Sequence, residues 1–192
     1  MSLRLRRLAV VLCSVALLGL RLTPGRPADA FPLQPGQVRV RLDTSKGAIV
    51  IAVHREWGPH GADRFLELVT ARYFDDSRFF RVVKGQWAQF GINGDPKVAA
   101  RWRERTIPDD PRGQSVTRGR VSFAFAVPNG RTSQVYISLR DNSAQDTQGF
   151  APFGEVVEGM DVVEKIGNTP TSKPADRPLK PVVVEKVEIR RS

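Results

Sequence analysis

Cysteine and histidine are almost absent from the chain, and each shortage excludes a kind of chemistry. Of 192 residues one is cysteine, Cys13, and two are histidines, His54 and His60. Cys13 lies in an apolar run near the N-terminus, so the rest of the chain has neither disulfides nor thiol chemistry. The histidines have no partner at ligand spacing, so no metal site and no histidine-assisted nucleophile is predicted.

Motifs for cofactors and for common hydrolases are also missing. The chain has no G-x-G-x-x-G or phosphate-binding loop, and Ser122 and Ser133 lie outside any G-x-S-x-G context. No carboxylate sits in an apolar run that would raise its pKa. We therefore predict that the protein uses no cofactor and works with neutral donors and fixed cations.

The N-terminal residues have the order of a secretory signal peptide. A basic stretch, MSLRLRR, precedes the apolar run Leu8–Leu20, and Ala28-Asp29-Ala30 is a small-residue cleavage site. We predict a signal peptide over residues 1–30, cleaved after Ala30, and one domain over residues 31–192. At about 1.5 Å per residue the run is too short for a bilayer core of about 30 Å. A periplasmic or secreted protein without a stable membrane span is therefore favoured over the alternative, an uncleaved N-terminal anchor.

Positive charge exceeds negative charge but is not gathered in one place. The net charge is +10. Five arginines and one aspartate of residues 1–30 carry four of those charges, so residues 31–192 carry six. Because these charges alternate with acids, they are typical of a solvated surface rather than of a nucleic-acid interface. We predict a monomer without a nucleic-acid partner.

Apolar periodicity predicts a mainly β protein. Alternating or continuous apolar runs predict strands at Val38–Leu42, Ala48–Val53, Phe79–Lys84, Trp87–Ile92, Val121–Ala126, Val135–Leu139, Phe153–Val157 and Val182–Ile189. Three-to-four spacing predicts helices from Pro59 to about Tyr73 and from Gly159 to Ile166, whereas Asp95–Gly119 has no period and is predicted to be a loop. Closing a sheet removes its exposed edges, so we predict a closed eight-stranded antiparallel β-barrel capped by two α-helices, with a sandwich as the alternative.

One predicted strand carries a cation among apolar side chains. In RFFRVVKGQWAQFGINGDP, Arg81 is predicted to share a strand face with Phe79 and Val83. An arginine cannot shuttle protons, because its pKa is above about 12, but it donates directed hydrogen bonds. Rotation about a peptidyl-prolyl bond needs such a donor, aimed at the nitrogen that regains a lone pair in the twisted transition state. The alternative is structural, with Arg81 lying over the core and paired with an acid such as Glu155.

Three blocks of sequence resemble the cyclophilin family of peptidyl-prolyl cis-trans isomerases, and above all its bacterial exported members. They are FFRVVKGQWAQFGINGDP (Phe79–Pro96), VSFAFAVPNGRTSQVYISL (Val121–Leu139) and GFAPFGEVVEGMDVVEKI (Gly149–Ile166), within a likeness over Val38–Ile189. The resemblance implies that Arg81 and Gln89 are catalytic and that proline-containing polypeptides are the substrates. The substrate-binding residues that it implies are Gln86, Trp87, Ala124, Phe125, Gln134, Tyr136, Gln145 and Phe150.

The chain departs from the family pattern at its pocket. Gln86 and Gln145 stand where a phenylalanine and a leucine are expected, Tyr136 replaces a phenylalanine, and Phe150 replaces a common histidine. Because two polar residues weaken burial of a proline ring, by about 1–3 kcal/mol, we expect slow turnover and poor cyclosporin sensitivity. The resemblance predicts an isomerase that accelerates folding of exported proteins; a proline-binding scaffold that has lost turnover is the alternative.

Overall fold

The computed structural model describes residues 38–190, and the predicted signal peptide, residues 1–30, lies outside them. The strands are β1 (Val38–Thr44), β2 (Gly47–Val53), β3 (Ser77–Arg78), β4 (Arg81–Val83), β5 (Trp87–Phe90), β6 (Arg120–Phe123), β7 (Val135–Ser138), β8 (Pro152–Glu158), β9 (Thr171–Ser172), β10 (Arg177–Pro178) and β11 (Val183–Arg190). The helices are α1 (Pro59–Thr70), α2 (Pro96–Arg103), α3 (Met160–Gly167) and a 3₁₀ helix, Ser143–Gln148.

The first two strands form the predicted hairpin. They pair in register from Val38 opposite Val53 to Thr44 opposite Gly47. The Thr44 hydroxyl donates to the Gly47 carbonyl over 2.7 Å and accepts the Lys46 N–H over 3.1 Å. Gly47 has a φ of +125°, which a residue without a Cβ adopts readily. The hairpin is paired on both sides, since β11 continues the sheet from β1 and β8 continues it from β2.

Nine strands form one sheet, and it is not the closed eight-stranded barrel that we predicted. The order is β3-β11-β1-β2-β8-β6-β7-β5-β4, a curled but open sheet whose end strands are not paired with each other. The chain itself links the two ends: the Phe79 N–H donates to the Val182 carbonyl and the Phe80 N–H to the Gln89 carbonyl. β3 and β4 are successive parts of one segment, separated by Phe79 and Phe80, and each pairs with a different strand, β3 with β11 and β4 with β5.

The same short link changes the face on which Arg81 lies. We predicted that Arg81 shares a face with Phe79, but Phe79 and Val82 are buried in the core and Arg81 is exposed. The buried positions are three apart, so the alternation of a continuous strand is broken at Phe79 and Phe80, between β3 and β4. Arg81 therefore points away from the core, and no apolar face has to accommodate its charge.

The core lies between the inner face of the sheet and two of the helices. α1 packs against β8 and β11, and α3 packs against β2, β4 and β5. Side chains with almost no exposed surface fill it, among them Val40, Leu42, Ile49, Ile51, Phe65, Leu68, Phe74, Phe79, Val82, Phe90, Val121, Phe123, Val135, Ile137, Phe153, Val163, Ile166 and Val184. Each large side chain of this kind stabilises the fold by about 1.5–3 kcal/mol, so the fold needs no disulfide.

The predicted loop Asp95–Gly119 contains a helix that the periodicity did not reveal, so residues 38–190 have three α-helices where we predicted two. Asp95 is the N-cap of α2 and accepts the Lys97 N–H over 2.8 Å, and Pro96 is the first helical residue. An acidic cap followed by proline is a helix-start signal in its own right. The helix was missed because it spans only eight residues: Ala99 is buried and Val98 and Trp102 pack partly against the core, which is too short an apolar stripe to show a period.

Candidate active site

Nine of the ten predicted site residues line one cavity with a volume of about 620 Å³. They are Arg81, Trp87, Gln89, Ala124, Phe125, Gln134, Tyr136, Gln145 and Phe150. Strands β4, β5 and β7 supply one side of this cavity, and the segments that follow β6 and precede β8 supply the rest.

The strand register brings three of these residues into a row. In the antiparallel pair of β4 and β5, Arg81 is directly opposite Gln89. In the pair of β5 and β7, Gln89 is directly opposite Tyr136. Opposite residues of antiparallel strands project on the same face of the sheet. The row therefore runs from a cation through an amide to a phenol across one wall of the cavity.

Two of the glutamines that line the cavity, Gln89 and Gln134, bond to each other. Gln89 Nε2 donates to Gln134 Oε1 over 2.9 Å. Gln134 precedes β7, and its carbonyl accepts the Ala124 N–H over 2.9 Å. This backbone bond extends the ladder between β6 and β7 into the cavity wall. The side chain of Gln89, on β5, is therefore held by the segment that leads into β7.

Arg81 is exposed and is held by an aromatic ring rather than by an acid. Its guanidinium carbon lies 5.5 Å from the centroid of the Trp87 ring, within the range of a cation–π contact. In the described part of the chain, no carboxylate pairs with it. The partner suggested for the structural alternative, Glu155, instead bonds to Arg120 over 2.9 Å and lies 3.3 Å from His54, so that pairing is not formed. Within residues 38–190 no acceptor bonds to its N–H groups, which are available to a ligand.

Four aromatic rings form a continuous surface in the cavity. Trp87 and Tyr136 meet edge to face at 6.4 Å between centroids, and Tyr136 meets Phe150 in the same way at 5.6 Å. Phe150 then packs on Phe125 at 4.6 Å. Rings in such contacts hold one another in place while leaving faces and edges for an apolar ligand group.

Two residues that depart from the family pattern, Tyr136 and Gln145, form a hydrogen bond with each other. The Tyr136 hydroxyl donates to Gln145 Oε1 over 3.1 Å. Tyr136 is buried, and burial raises the pKa of its phenol, which therefore remains a neutral donor. The hydroxyl added at position 136 thus has the partner that a buried hydroxyl requires, and the amide at position 145 supplies it.

Gln86 does not line the cavity. It lies in the turn between β4 and β5, where its N–H donates to the Val83 carbonyl over 2.9 Å. Its own carbonyl accepts the Leu139 N–H over 2.8 Å and Asn142 Nδ2 over 2.9 Å. The position gives no support to a substrate-binding role, and the contacts of this residue instead join the turn to the end of β7.

Seven further residues line the cavity and were not predicted from the sequence. They are Arg103, Thr106, Ala126, Val127, Gly130, Thr132 and Gln148. Arg103 and Thr106 come from α2 and the segment after it, which the sequence analysis treated as an undivided loop. No strand or helix period marks Arg103 and Thr106, and these two could have been proposed only by recognising the Asp95-Pro96 helix start.

A buried arginine behind the cavity was also missed. Arg131 is 1 % exposed, pairs with Asp109, and donates from Nη2 to the Gly149 carbonyl over 2.6 Å. Its guanidinium carbon lies 4.7 Å from the centroid of the Phe125 ring. Arg131 therefore ties the segment after α2 to the cavity wall from below. Nothing in the sequence distinguishes this arginine from the many exposed ones.

Neither a metal centre nor a membrane helix is found in residues 38–190. No group of three or more histidine, cysteine, aspartate or glutamate side chains is arranged to hold a metal ion there. None of the helices within that range is long and apolar enough to cross a bilayer. The arrangement offers hydrogen-bond donors and an aromatic surface, which suit a reaction that makes and breaks no covalent bond.

Comparison with known proteins decides the family. Residues 39–189 match the family model described as cyclophilin type peptidyl-prolyl cis-trans isomerase/CLD. The chain belongs to the cyclophilin family. A peptidyl-prolyl cis-trans isomerase of Acinetobacter baylyi is 31% identical over 162 residues, which cover 79% of this chain and 85% of that protein. Peptidyl-prolyl cis-trans isomerase B of Escherichia coli is 30% identical, with 78% of this chain and 98% of that protein covered.

Solved structures agree with this fold. A cyclophilin type peptidyl-prolyl cis-trans isomerase of Cryptosporidium parvum superposes with a TM-score of 0.71 at 22% identity, over 81% of this chain and 99% of that chain. A second crystal structure of that protein, in the presence of the dipeptide Ala-Pro, gives a TM-score of 0.70. The family resemblance and the isomerase class predicted from the sequence are confirmed: this member of the cyclophilin family is a peptidyl-prolyl cis-trans isomerase.

Proposed function

We propose that this cyclophilin-family chain accelerates rotation about X-Pro bonds of exported proteins while they fold, with Arg81 and Gln89 as its catalytic residues. The observation that carries the proposal is the row of Arg81, Gln89 and Tyr136 across three strands of one cavity. An open donor, a fixed amide and an aromatic surface stand side by side there.

In this proposal Arg81 donates a hydrogen bond to the prolyl nitrogen. The barrier to rotation is about 18–20 kcal/mol and comes from amide resonance. As the bond twists, the nitrogen regains a lone pair that the planar ground state lacks, so a donor aimed at it binds the transition state selectively. One hydrogen bond from a charged donor, worth about 1.5–3 kcal/mol, corresponds to about 10- to 100-fold in rate.

Gln89 would act on the same bond from the neighbouring strand. Its Nε2 is engaged by Gln134, so its carboxamide orientation is fixed before a substrate arrives. A preoriented amide contributes more to a transition state than one that must be ordered during the reaction. Ala124, Phe125 and Gln134 would then bind the extended chain on the far side of the prolyl bond.

The proline ring would pack on the aromatic surface formed by Trp87, Tyr136 and Phe150. Of the two glutamines expected to weaken burial of the ring, only Gln145 lines the cavity. Its Oε1 accepts the Tyr136 hydroxyl and is not left unpaired against the ring. We therefore expect the loss in ring burial to lie toward the lower end of the 1–3 kcal/mol range that two exposed polar groups would produce.

The test is prolyl isomerisation of a short X-Pro peptide by the wild-type chain, by Arg81→Ala and by Arg78→Ala. Arg78 is a matched control, because it is an exposed arginine three residues away that does not line the cavity. We expect Arg81→Ala to lower kcat/KM about 10- to 100-fold and Arg78→Ala to leave it within about twofold. Equal rates for Arg81→Ala and wild type would overturn the mechanism. Peptide binding without any acceleration by the wild type would favour the scaffold alternative.

A further inference from the structure

The cavity carries positive charge that no neighbouring acid offsets. Among the described residues that line it are two arginines, Arg81 and Arg103, and neither an aspartate nor a glutamate. Arg103 is exposed, and its side chain makes no ion pair or hydrogen bond with any residue of the range 38–190. A bound segment is therefore the available source of a compensating carboxylate.

Arg103 is presented by a wall that is held firmly against the sheet. It is the last residue of α2, next to Trp102, whose ring packs edge to face on Tyr73 at 5.6 Å. Just beyond the helix, Arg64 Nη1 donates to the carbonyls of Arg105, over 2.5 Å, and Thr132, over 3.0 Å. Arg64 is buried, so this bond fixes the segment after α2 against the chain that leads into β7.

The two arginines serve different parts of the cavity. Arg81 lies in the row with Gln89 and Tyr136, whereas the segment after Arg103 lies beside Thr132. Tyr136 is four positions after Thr132, and at about 3.3 Å per extended residue this span is at most about 13 Å. An extended segment whose proline lies at Tyr136 therefore reaches the Arg103 region within about four residues.

We infer that the cavity selects proline-containing segments that carry an acidic side chain within about four residues of the proline, and that Arg103 is the residue responsible. The inference rests on the proposed function, because it takes the prolyl bond to lie beside Arg81. Two cations without a lining acid favour a carboxylate and disfavour a lysine at that point of the substrate. The competing explanation is structural, since basic residues in a last helical turn stabilise the helix dipole.

Arg101 separates the two explanations. It lies in the same last turn of α2 and is likewise exposed, but it does not line the cavity. Arg101→Gln and Arg103→Gln therefore alter the helix dipole alike, and only the second removes charge from the cavity. Thermal unfolding of both variants checks that the fold is kept, and Arg103→Glu supplies a variant with the opposite charge.

The experiment measures kcat/KM and Kd for peptides with one proline and with Glu, Gln or Lys two, three or four residues from it on either side. Isomerisation is followed by NMR exchange and binding by titration calorimetry, at low salt and at 1 M NaCl. At one or more positions, we expect wild type and Arg101→Gln to prefer Glu to Gln by about two- to fivefold at low salt, the range of an exposed ion pair. The preference should shrink in 1 M NaCl, vanish in Arg103→Gln and turn toward Lys in Arg103→Glu.

Failure of the inference is distinguishable from failure of the proposed function. Equal kcat/KM for Glu and Gln peptides at every position, or a preference that survives Arg103→Gln, overturns the role of Arg103 while leaving the isomerase mechanism intact. If the wild type accelerates no peptide, the proposed function fails, and the Kd comparison alone then supports or overturns the acidic preference. Absence of binding to every peptide overturns both.

Discussion

Tyr136 stands where the family has a phenylalanine, so the aromatic ring is kept and a hydroxyl is added. Gln145 supplies the acceptor that this buried hydroxyl requires. The hydroxyl bonds to Gln145 Oε1 over 3.1 Å within a buried site. A buried hydroxyl without an acceptor would cost about 1–3 kcal/mol, so the two substitutions are coupled. Tyr136→Phe or Gln145→Leu alone should therefore lower the free energy of unfolding more than the two substitutions together.

The buried phenol predicts a pH dependence of stability. Burial raises the pKa of Tyr136 above its ordinary value of about 10. Above about pH 10 the unfolded chain loses this proton and the folded chain keeps it, so the stabilisation is complete below that pH and falls as the pH rises toward the folded pKa. We expect the free energy of unfolding, measured in urea, to fall more steeply between about pH 10 and 11 for wild type than for Tyr136→Phe. Parallel curves would show that Tyr136 ionises alike in both states.

The site residues differ in how far they could be predicted from the sequence. Arg81 was singled out as a cation among apolar side chains, the family resemblance named Arg81 and Gln89 as catalytic, and both line the cavity. Gln86 was named by position in the family's pattern, yet it lies in a turn outside the lining. Arg103 was not named at all, because the helix that carries it is too short to show a clear apolar period. A site built partly from irregular segments is predictable only where its residues stand out chemically.

At the scale of elements, the start of α1 depends on a residue far away in sequence. The N-cap position, Gly58, has no side chain to accept the free N–H groups of the first turn. Asp110 supplies both acceptors: Oδ1 accepts the His60 N–H and Oδ2 accepts the Gly61 N–H, each over 2.8 Å. The segment after α2 is therefore part of the scaffold as well as of the cavity wall.

Loss of this distant cap should destabilise the fold. We expect Asp110→Ala to lower the free energy of unfolding by about 1–2 kcal/mol, because two N–H groups, one of them buried, lose their acceptor at the positive end of the helix. Asp161→Ala is the control, since Asp161 lies in the first turn of α3, is exposed and pairs only with Lys165 there. Urea unfolding of the two variants measures the difference. An equal effect of both substitutions would contradict the capping role.

The long elements were predictable and the short ones were not. The hairpin of β1 and β2, helices α1 and α3, and strand β11 have clear periods and lie where the sequence predicts them. β3, β9 and β10 have two residues each, which is too few for any alternation. The error in closure has a similar origin: the predicted strand Phe79–Lys84 contains β4, but no pattern marks the two-residue β3 before it, which forms the other end of the sheet.

At the scale of the whole molecule, the net charge has to be distinguished from the charge that lines the cavity. Residues 31–192 carry a net charge of +6, yet many of the arginines are paired, as Arg55 is with Asp63 and Arg120 with Glu155. The residual positive potential in the cavity therefore comes from particular unpaired side chains rather than from the overall excess. This distinction favours selective peptide binding over general attraction to polyanions.

Export is the property of the whole chain that remains to be tested. A basic stretch, a short apolar run and a small-residue site predict cleavage after Ala30. We expect the full chain, produced in a Gram-negative host, to be recovered from the periplasm with Phe31 as its first residue, and residues 31–192 alone to stay in the cytoplasm. Fractionation and N-terminal mass spectrometry make the measurement. Uncut protein in the membrane would instead support the anchor, and uncut protein in the cytoplasm would contradict export. Because a chain without cysteine after residue 30 folds without disulfides, the isomerase would act equally well in an oxidising compartment.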